Sequence, residues 1–141
     1  MEDINALNEI NKGTCMGMDA ITYVLDKVKD KGFKKVIEEQ YNDYHIIEEE
    51  ITKIYPKYNE GEPQETNAFT KAMTWSGVEM KTMMDNSNSK IAELLLQGVN
   101  MGIIEGRKIL NKKKLNEEVR NIVKKYVTMQ EKNVEVLKNY L

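Results

Sequence analysis

Few residues in this chain carry chemistry, and their spacing on helices decides what they can do. Projected at about 100° per residue, Glu105 falls near the middle of an apolar face made by Gly98, Met101, Gly102 and Ile109. Gln130 and Asn133 project inward from a later helix, Glu48 and Gln40 flank Tyr44 on an earlier one, and Thr14 points inward from the first. A carboxylate taken out of water is costly unless it is paired or hydrogen-bonded. Two arrangements answer that cost. In one, Glu105 and Glu48 share a metal ion or a proton, with His45 or Asp19 at the margin. In the other, Thr14, Gln40, Tyr44, Gln130 and Asn133 belong to a hydrogen-bonded polar layer that fixes helix register. The polar layer is the plainer reading. His45 is the one histidine; it lies about 100° round from Tyr44 and reads as a partly exposed surface residue. One imidazole does not hold zinc without several well-placed partners. Cys15 is the one cysteine, which leaves no internal disulfide and no thiolate metal site.

Helices must position these groups, and the hydrophobic period supplies them. A first helix is predicted from Asp3, its N-cap, to about Lys29, burying Leu7, Ile10, Thr14, Met18 and Ile21. Asp30-Lys31-Gly32 breaks it, with Gly32 suited to a left-handed C-terminal position. A second helix runs from Phe33 to about Tyr55, burying Phe33, Ile37, Gln40, Tyr44, Ile47 and Ile51, and Pro56 ends it. Lys57 to Thr66 is polar and contains Gly61 and Pro63, which marks a loop. Asn67 to about Met84 is a short amphipathic helix, and the turn Asp85 to Ser89 supplies the next N-cap. A third long helix covers about Lys90 to Asn111. After the basic link Lys112 to Lys114, a last helix from about Asn116 to Tyr140 buries Val119, Val123, Tyr126, Gln130, Asn133 and Leu137.

The result is hairpin, long connection with its own helix, hairpin, within one domain spanning residues 1–141. A long link between the second and third bundle helices implies an overhand crossover; three short loops would give simple up-and-down order. The two halves repeat a pattern: Gly13-Thr14-Cys15-Met16-Gly17 matches Gly98-Val99-Asn100-Met101-Gly102. Val24-Leu25 then matches Ile109-Leu110 and, one residue further on, Val36-Ile37 matches Ile122-Val123. Gly98, Gly102 and Gly106 are spaced by four, as are Gly13 and Gly17. An interior helix glycine costs about 0.5–1 kcal/mol against Ala, so the spacing points to close approach of the first and third helices, with Met16, Met18 and Met101 filling the remaining space.

These segments, with Thr74-Trp75-Ser76-Gly77-Val78-Glu79-Met80-Lys81 and the closing Gln130-Glu131-Lys132-Asn133-Val134-Glu135-Val136-Leu137, resemble the ferritin-like superfamily. More narrowly they resemble a bacterial ferritin-like family of unknown function, distantly similar to rubrerythrins, over nearly the whole chain. The resemblance implies an all-α, ferritin-like four-helix bundle. A di-iron bundle draws a Glu from each of two helices and a Glu-x-x-His from each of the others. Here the nearest matches are Asn42-x-x-His45 and Gln130-x-x-Asn133, and the first and third helices offer Thr14 and Val99 to Met101 where glutamate would fall. The ligand count fails.

Composition narrows the rest. The 21 basic and 23 acidic residues leave a net charge of -2, so no electrostatic case arises for nucleic acid or an anionic membrane as partner. No run reaches the roughly 18 apolar residues of a membrane span, and Met1-Glu2-Asp3 does not open a signal peptide, so a cytoplasmic protein is expected. Nine Met at core spacing read as core rather than as a soft-metal surface. Trp75 and Val78 lie off the short helix's buried face, where they contact either a second subunit, making a homodimer, or the Lys57 to Thr66 loop. Three functions remain in view. The first is a non-catalytic structural or interaction protein with a degenerate metal site and no cofactor. The second is a carboxylate site for iron or another divalent metal at Glu105, Glu48 and His45, doing binding or redox work. The third is a module holding a small apolar ligand among the methionines.

Overall fold

The computed structural model describes residues 2–65 and 85–141. Their regular structure is helical: α1 (Glu2–Leu25), α2 (Lys31–Ile54), α3 (Asn88–Lys112) and α4 (Glu117–Lys138), with a single 3-10 turn at Tyr55–Lys57 that carries Pro56. Asp30 caps α2, accepting the Phe33 N–H at 2.8 Å. Ser87 caps α3 through Lys90 N–H at 3.2 Å. Each cap satisfies a donor that the first helical turn leaves without a partner. Gly32, expected to end the first helix, instead lies in the first turn of α2, because the Asp30 cap starts that helix before it. The predicted helix Asn67 to Met84, with Trp75 and Val78, lies outside the described residues.

Side-chain bonds fix the helix directions. Tyr55 bonds Asn8 and Cys15 lies beside Glu48, so α1 and α2 are antiparallel. Arg107 pairs with Glu131 and Arg120 donates to the Leu110 carbonyl, so α3 and α4 are antiparallel too. Lys57–Glu118, Lys125–Glu50 and Tyr44–Gln130 make α2 antiparallel to α4. It follows that α2 and α3 run the same way. The 24 residues of α2 span about 36 Å at 1.5 Å per residue, so the end of α2 and the start of α3 sit at opposite ends of the bundle. Both α1 and α4 pack on α2 and on α3, placing α2 and α3 on one diagonal.

Apolar stripes of all four helices meet in one core that includes Leu7, Ile21, Phe33, Ile51, Ile91 and Leu137. Phe33 and Tyr140 stack at 4.4 Å and close one end. At the other, Asn8 Oδ1 accepts from Tyr55 OH (3.0 Å) and from Gln64 N–H (2.9 Å), while Asn11 Nδ2 donates to the Gln64 carbonyl (3.0 Å). Two asparagines one turn apart thus hold the backbone that leaves α2. Among the described residues no helix is long and apolar enough to cross a membrane.

Candidate functional site

The interior polar layer is built by two tyrosines that reach across the bundle into slots left by glycines. Tyr44 on α2 is buried, and its hydroxyl donates to Gln130 Oε1 on α4 at 2.8 Å. A Cβ at Gly17 would collide with the Tyr44 ring, lying 2.7 and 2.8 Å from its Cε2 and Cε1. Tyr126 on α4 sends its hydroxyl between Gly13 of α1 and Gly102 of α3: a Cβ at Gly13 would collide with it, and one at Gly102 would lie 2.6 Å from it and 2.6 Å from Gln130 Nε2. Gly106 receives Val127 in the same way, whereas a Cβ at Gly98 would meet nothing within 4 Å among the described residues. The spaced glycines were expected to let α1 and α3 backbones approach. They instead admit side chains from α2 and α4, and Met101, expected between those helices, is 68% exposed.

The Tyr44–Gln130 bond joins positions 86 apart, the offset that superposes Val36-Ile37 on Ile122-Val123. The same offset relates Gln40 to Tyr126. So α2 carries Gln then Tyr, and α4 carries Tyr then Gln, each pair one turn apart. Burial pushes both phenols above the usual tyrosine range; Tyr126 near Tyr44 and Glu105 near Tyr126 add to this, and the Gln130 amide opposes it in each case. Both phenols are therefore neutral at ordinary pH, and the Gln130 amide, bonded to Tyr44, lies against Tyr126 as well.

Thr14, Gln40, Tyr44, Gln130 and Asn133 are all buried. They do not form one closed network. Thr14 Oγ1, Gln40 Nε2 and Asn133 Nδ2 have no hydrogen-bond partner among the described residues. Since α2 and α4 are antiparallel with Tyr44 opposite Gln130, Gln40 and Asn133 lie at one level, a turn beyond that bond. An unmatched buried donor costs about 1–3 kcal/mol unless water reaches it.

The metal candidates are not gathered. Glu105, expected inside, is 57% exposed at its side chain and sits 3.7 Å from Lys108. The buried face of α3 runs through Ile91, Leu95, Val99, Gly106 and Ile109, rotated by about 60° from the expected one at 100° per residue. Leu94, Met101 and Ile104 make α3 apolar on its outer side as well, which blurs the period. Glu48 and His45 do meet: His45 Nδ1 is 3.5 Å from Glu48 Oε1, and its Nε2 is 3.0 Å from Glu49 Oε1. Cys15 Sγ is 3.8 Å from Glu48 Oε2. His45 is exposed on the flank of α2, and Asn42 is exposed too. Asp19 is half-buried on α1. Among the described residues no three His, Cys, Asp or Glu side chains are grouped closely enough to hold a metal ion.

Nor do the described methionines share one interior environment: Met18 is in the core, Met16 half-buried and Met101 on the surface. Grooves of about 250 and 230 Å³ open instead between α1 and α3, beside Glu9 and Lys108, and between α1 and α2, beside Thr22 and Tyr41. Sequence reasoning missed Tyr126 as a layer member and the Asn8–Asn11 clamp. Asparagine is unfavourable inside helices, so two on one edge of α1 were a usable signal.

Comparison of the chain with protein families, curated proteins and solved structures gave no match.

Proposed function

We propose that this chain is a ferritin-like bundle whose interior layer is filled with neutral side chains, and that it works as a structural or interaction protein rather than a catalyst. The ferritin-like order is supported by the repeat of Gly13–Gly17 in Gly98–Gly102 and by the parallel diagonal of α2 and α3, which calls for an end-to-end crossover. The observation that carries the functional reading is the bond from Tyr44 to Gln130 at 2.8 Å, with Tyr126 against the same amide. Metal-binding bundles set carboxylates and imidazoles at such inward positions to neutralise and bridge cations. Phenols and a carboxamide neutralise nothing, and they bond each other here, pinning one hairpin to the other.

A second reading keeps a carboxylate metal site, and one observation favours it: Glu48 touches both His45 and Cys15. Aerobic incubation with ferrous iron, followed by desalting and elemental analysis, separates the two. Background metal and no accelerated iron oxidation are expected. Stoichiometric iron that disappears in Glu48→Gln would replace the first reading with the second.

A further inference from the structure

Between Ile10 and Ile21, α1 has no exposed residue. A helix at the edge of a bundle turns one stripe to water. The other helices do so: Asn42 and Glu49 on α2, Met101 on α3, and Lys124, Thr128 and Glu135 on α4 are exposed. On α1 that direction belongs to Lys12, Met16, Asp19 and Tyr23. At 100° per residue they point within about 30° of straight away from Leu7, Ile10, Thr14 and Ile21. All four are half-buried, one carboxylate oxygen of Asp19 is shielded from water, and Lys12, Asp19 and Tyr23 all have partners. Yet α2 and α3 flank α1 and α4 lies across the core from it, so among the described residues no helix stands on this side. The described loop leaving α2 meets α1 at Asn8 and Asn11, through Gln64.

We propose that segment 66–84 covers this side of α1, so that the link between the two hairpins crosses the bundle over α1 and not over α4. Both ends of the segment fit that path. Gln64 is held against the first half of α1 by Asn8 and Asn11. The groove between α1 and α3 brings Asn5 and Glu9 together with Lys108 and Lys112, so α3 starts beside the far end of α1. From Asn11 to Leu25 α1 rises about 21 Å at 1.5 Å per residue, and a helix over Asn67 to Met84 would rise about 27 Å. The segment is long enough to run the whole strip. Phe69, Ala72, Met73 and Met80 share one face at the helical period and supply the apolar surface that Met16 and Tyr23 meet. A path over α4 would bury Lys124, Thr128 and Glu135, which are exposed. The cover is present within a single chain, so a second copy is not its source. This placement rests on the parallel order of α2 and α3 and is independent of the interior layer.

Disulfide trapping in the full chain, in a Cys15→Ser background, tests it. Met16→Cys is paired in turn with a cysteine at Phe69, Thr70, Lys71, Ala72 or Met73, five neighbours that sample every direction of a helical turn. Thr128→Cys, facing outward from α4, is paired with the same five. Mild oxidation of dilute protein is expected to close an intramolecular bridge from Met16→Cys with at least one of them, and none from Thr128→Cys. Bridges from Thr128→Cys, or none from either site, overturn the proposal. Lys12→Cys repeats the pairing one turn earlier should Met16→Cys not fold. Thiol labelling of the single variants gives a second readout. Met16→Cys should react about tenfold or more slowly than Ile104→Cys, as expected for a site reached only by local opening, and equally so at every protein concentration. Equal rates for the two sites, or protection that disappears on dilution, would contradict it.

Discussion

Gly17→Ala is the sharpest perturbation of the interior layer. The new methyl would collide with Tyr44 Cζ and stand 2.7 and 2.8 Å from Cε2 and Cε1, so the ring must move as a rigid plate. Tyr44 is 3% exposed, so the ring has no solvent to swing into. Overpacking of this kind costs about 1–3 kcal/mol. Displacing the ring also breaks the 2.8 Å bond to Gln130, a further loss of about 1 kcal/mol. Replacing glycine by alanine in a helix returns about 1 kcal/mol. The net expectation is a loss of about 1–3 kcal/mol, or a fall of roughly 2–10 °C in Tm at a few degrees per kcal/mol for this size. Gly98→Ala is the control on the same kind of backbone: no described residue lies near its Cβ, so it should stabilise by about 0.5–1 kcal/mol. Urea unfolding followed by circular dichroism at low protein concentration reads both as shifts of midpoint at constant slope. In a Tyr44→Ala background the Gly17→Ala penalty should vanish. A neutral or stabilising Gly17→Ala in the wild-type background would refute the reasoning that glycine makes room for the ring.

Tyr44→Phe leaves Gln130 Oε1 buried without its donor and should cost about 1–3 kcal/mol by the same unfolding assay. Glu105→Gln, at an exposed position beside Lys108, should change stability by no more than about 0.5 kcal/mol; a large loss would return Glu105 to the interior. Tyr44 and Tyr126 have folded pKa values raised above their unfolded ones, first by burial. The folded state thus holds protons that the unfolded state gives up, and stability is full below about pH 10 and falls as pH rises beyond it. Alkaline unfolding should therefore move to higher pH in Tyr126→Phe relative to its own neutral-pH stability. Glu118 acts at the other extreme: Tyr58 and then Lys57 hold its carboxyl below the usual range. Its contribution is present above about pH 4.3 and is lost as pH falls through the lower folded value, so Glu118→Gln should flatten the acid limb.

Most of the helical layout was legible because three of the four stripes have a clean period. On α4, polar Lys124, Lys125, Glu131 and Lys132 separate the buried Val123, Tyr126, Gln130 and Asn133, so the inner face has one solution. On α3, Leu94, Leu95, Leu96, Ile103 and Ile104 leave no polar side to exclude. The glycines then pulled the reading round to a face that carried Glu105 inward. The identity of the buried polar residues followed from helical projection, but their partners did not. Which tyrosine meets which amide depends on the direction and spacing of helices from different hairpins, and sequence spacing within one helix contains neither. The same limit hid the role of Gly13 and Gly17. Their cost was visible, while the rings that fill the space they leave come from α2 and α4.

The central claim is that two tyrosines from different hairpins share one glutamine in a neutral interior. Side-chain NMR of the Tyr44 hydroxyl and the Gln130 amide, with and without one equivalent of zinc per chain, tests it most directly. A slowly exchanging Tyr44 hydroxyl proton close to the Gln130 side chain, unmoved by the metal, is the result expected. A hydroxyl that exchanges freely with water, or Gln130 and Tyr44 signals that shift in step with added zinc, would contradict it.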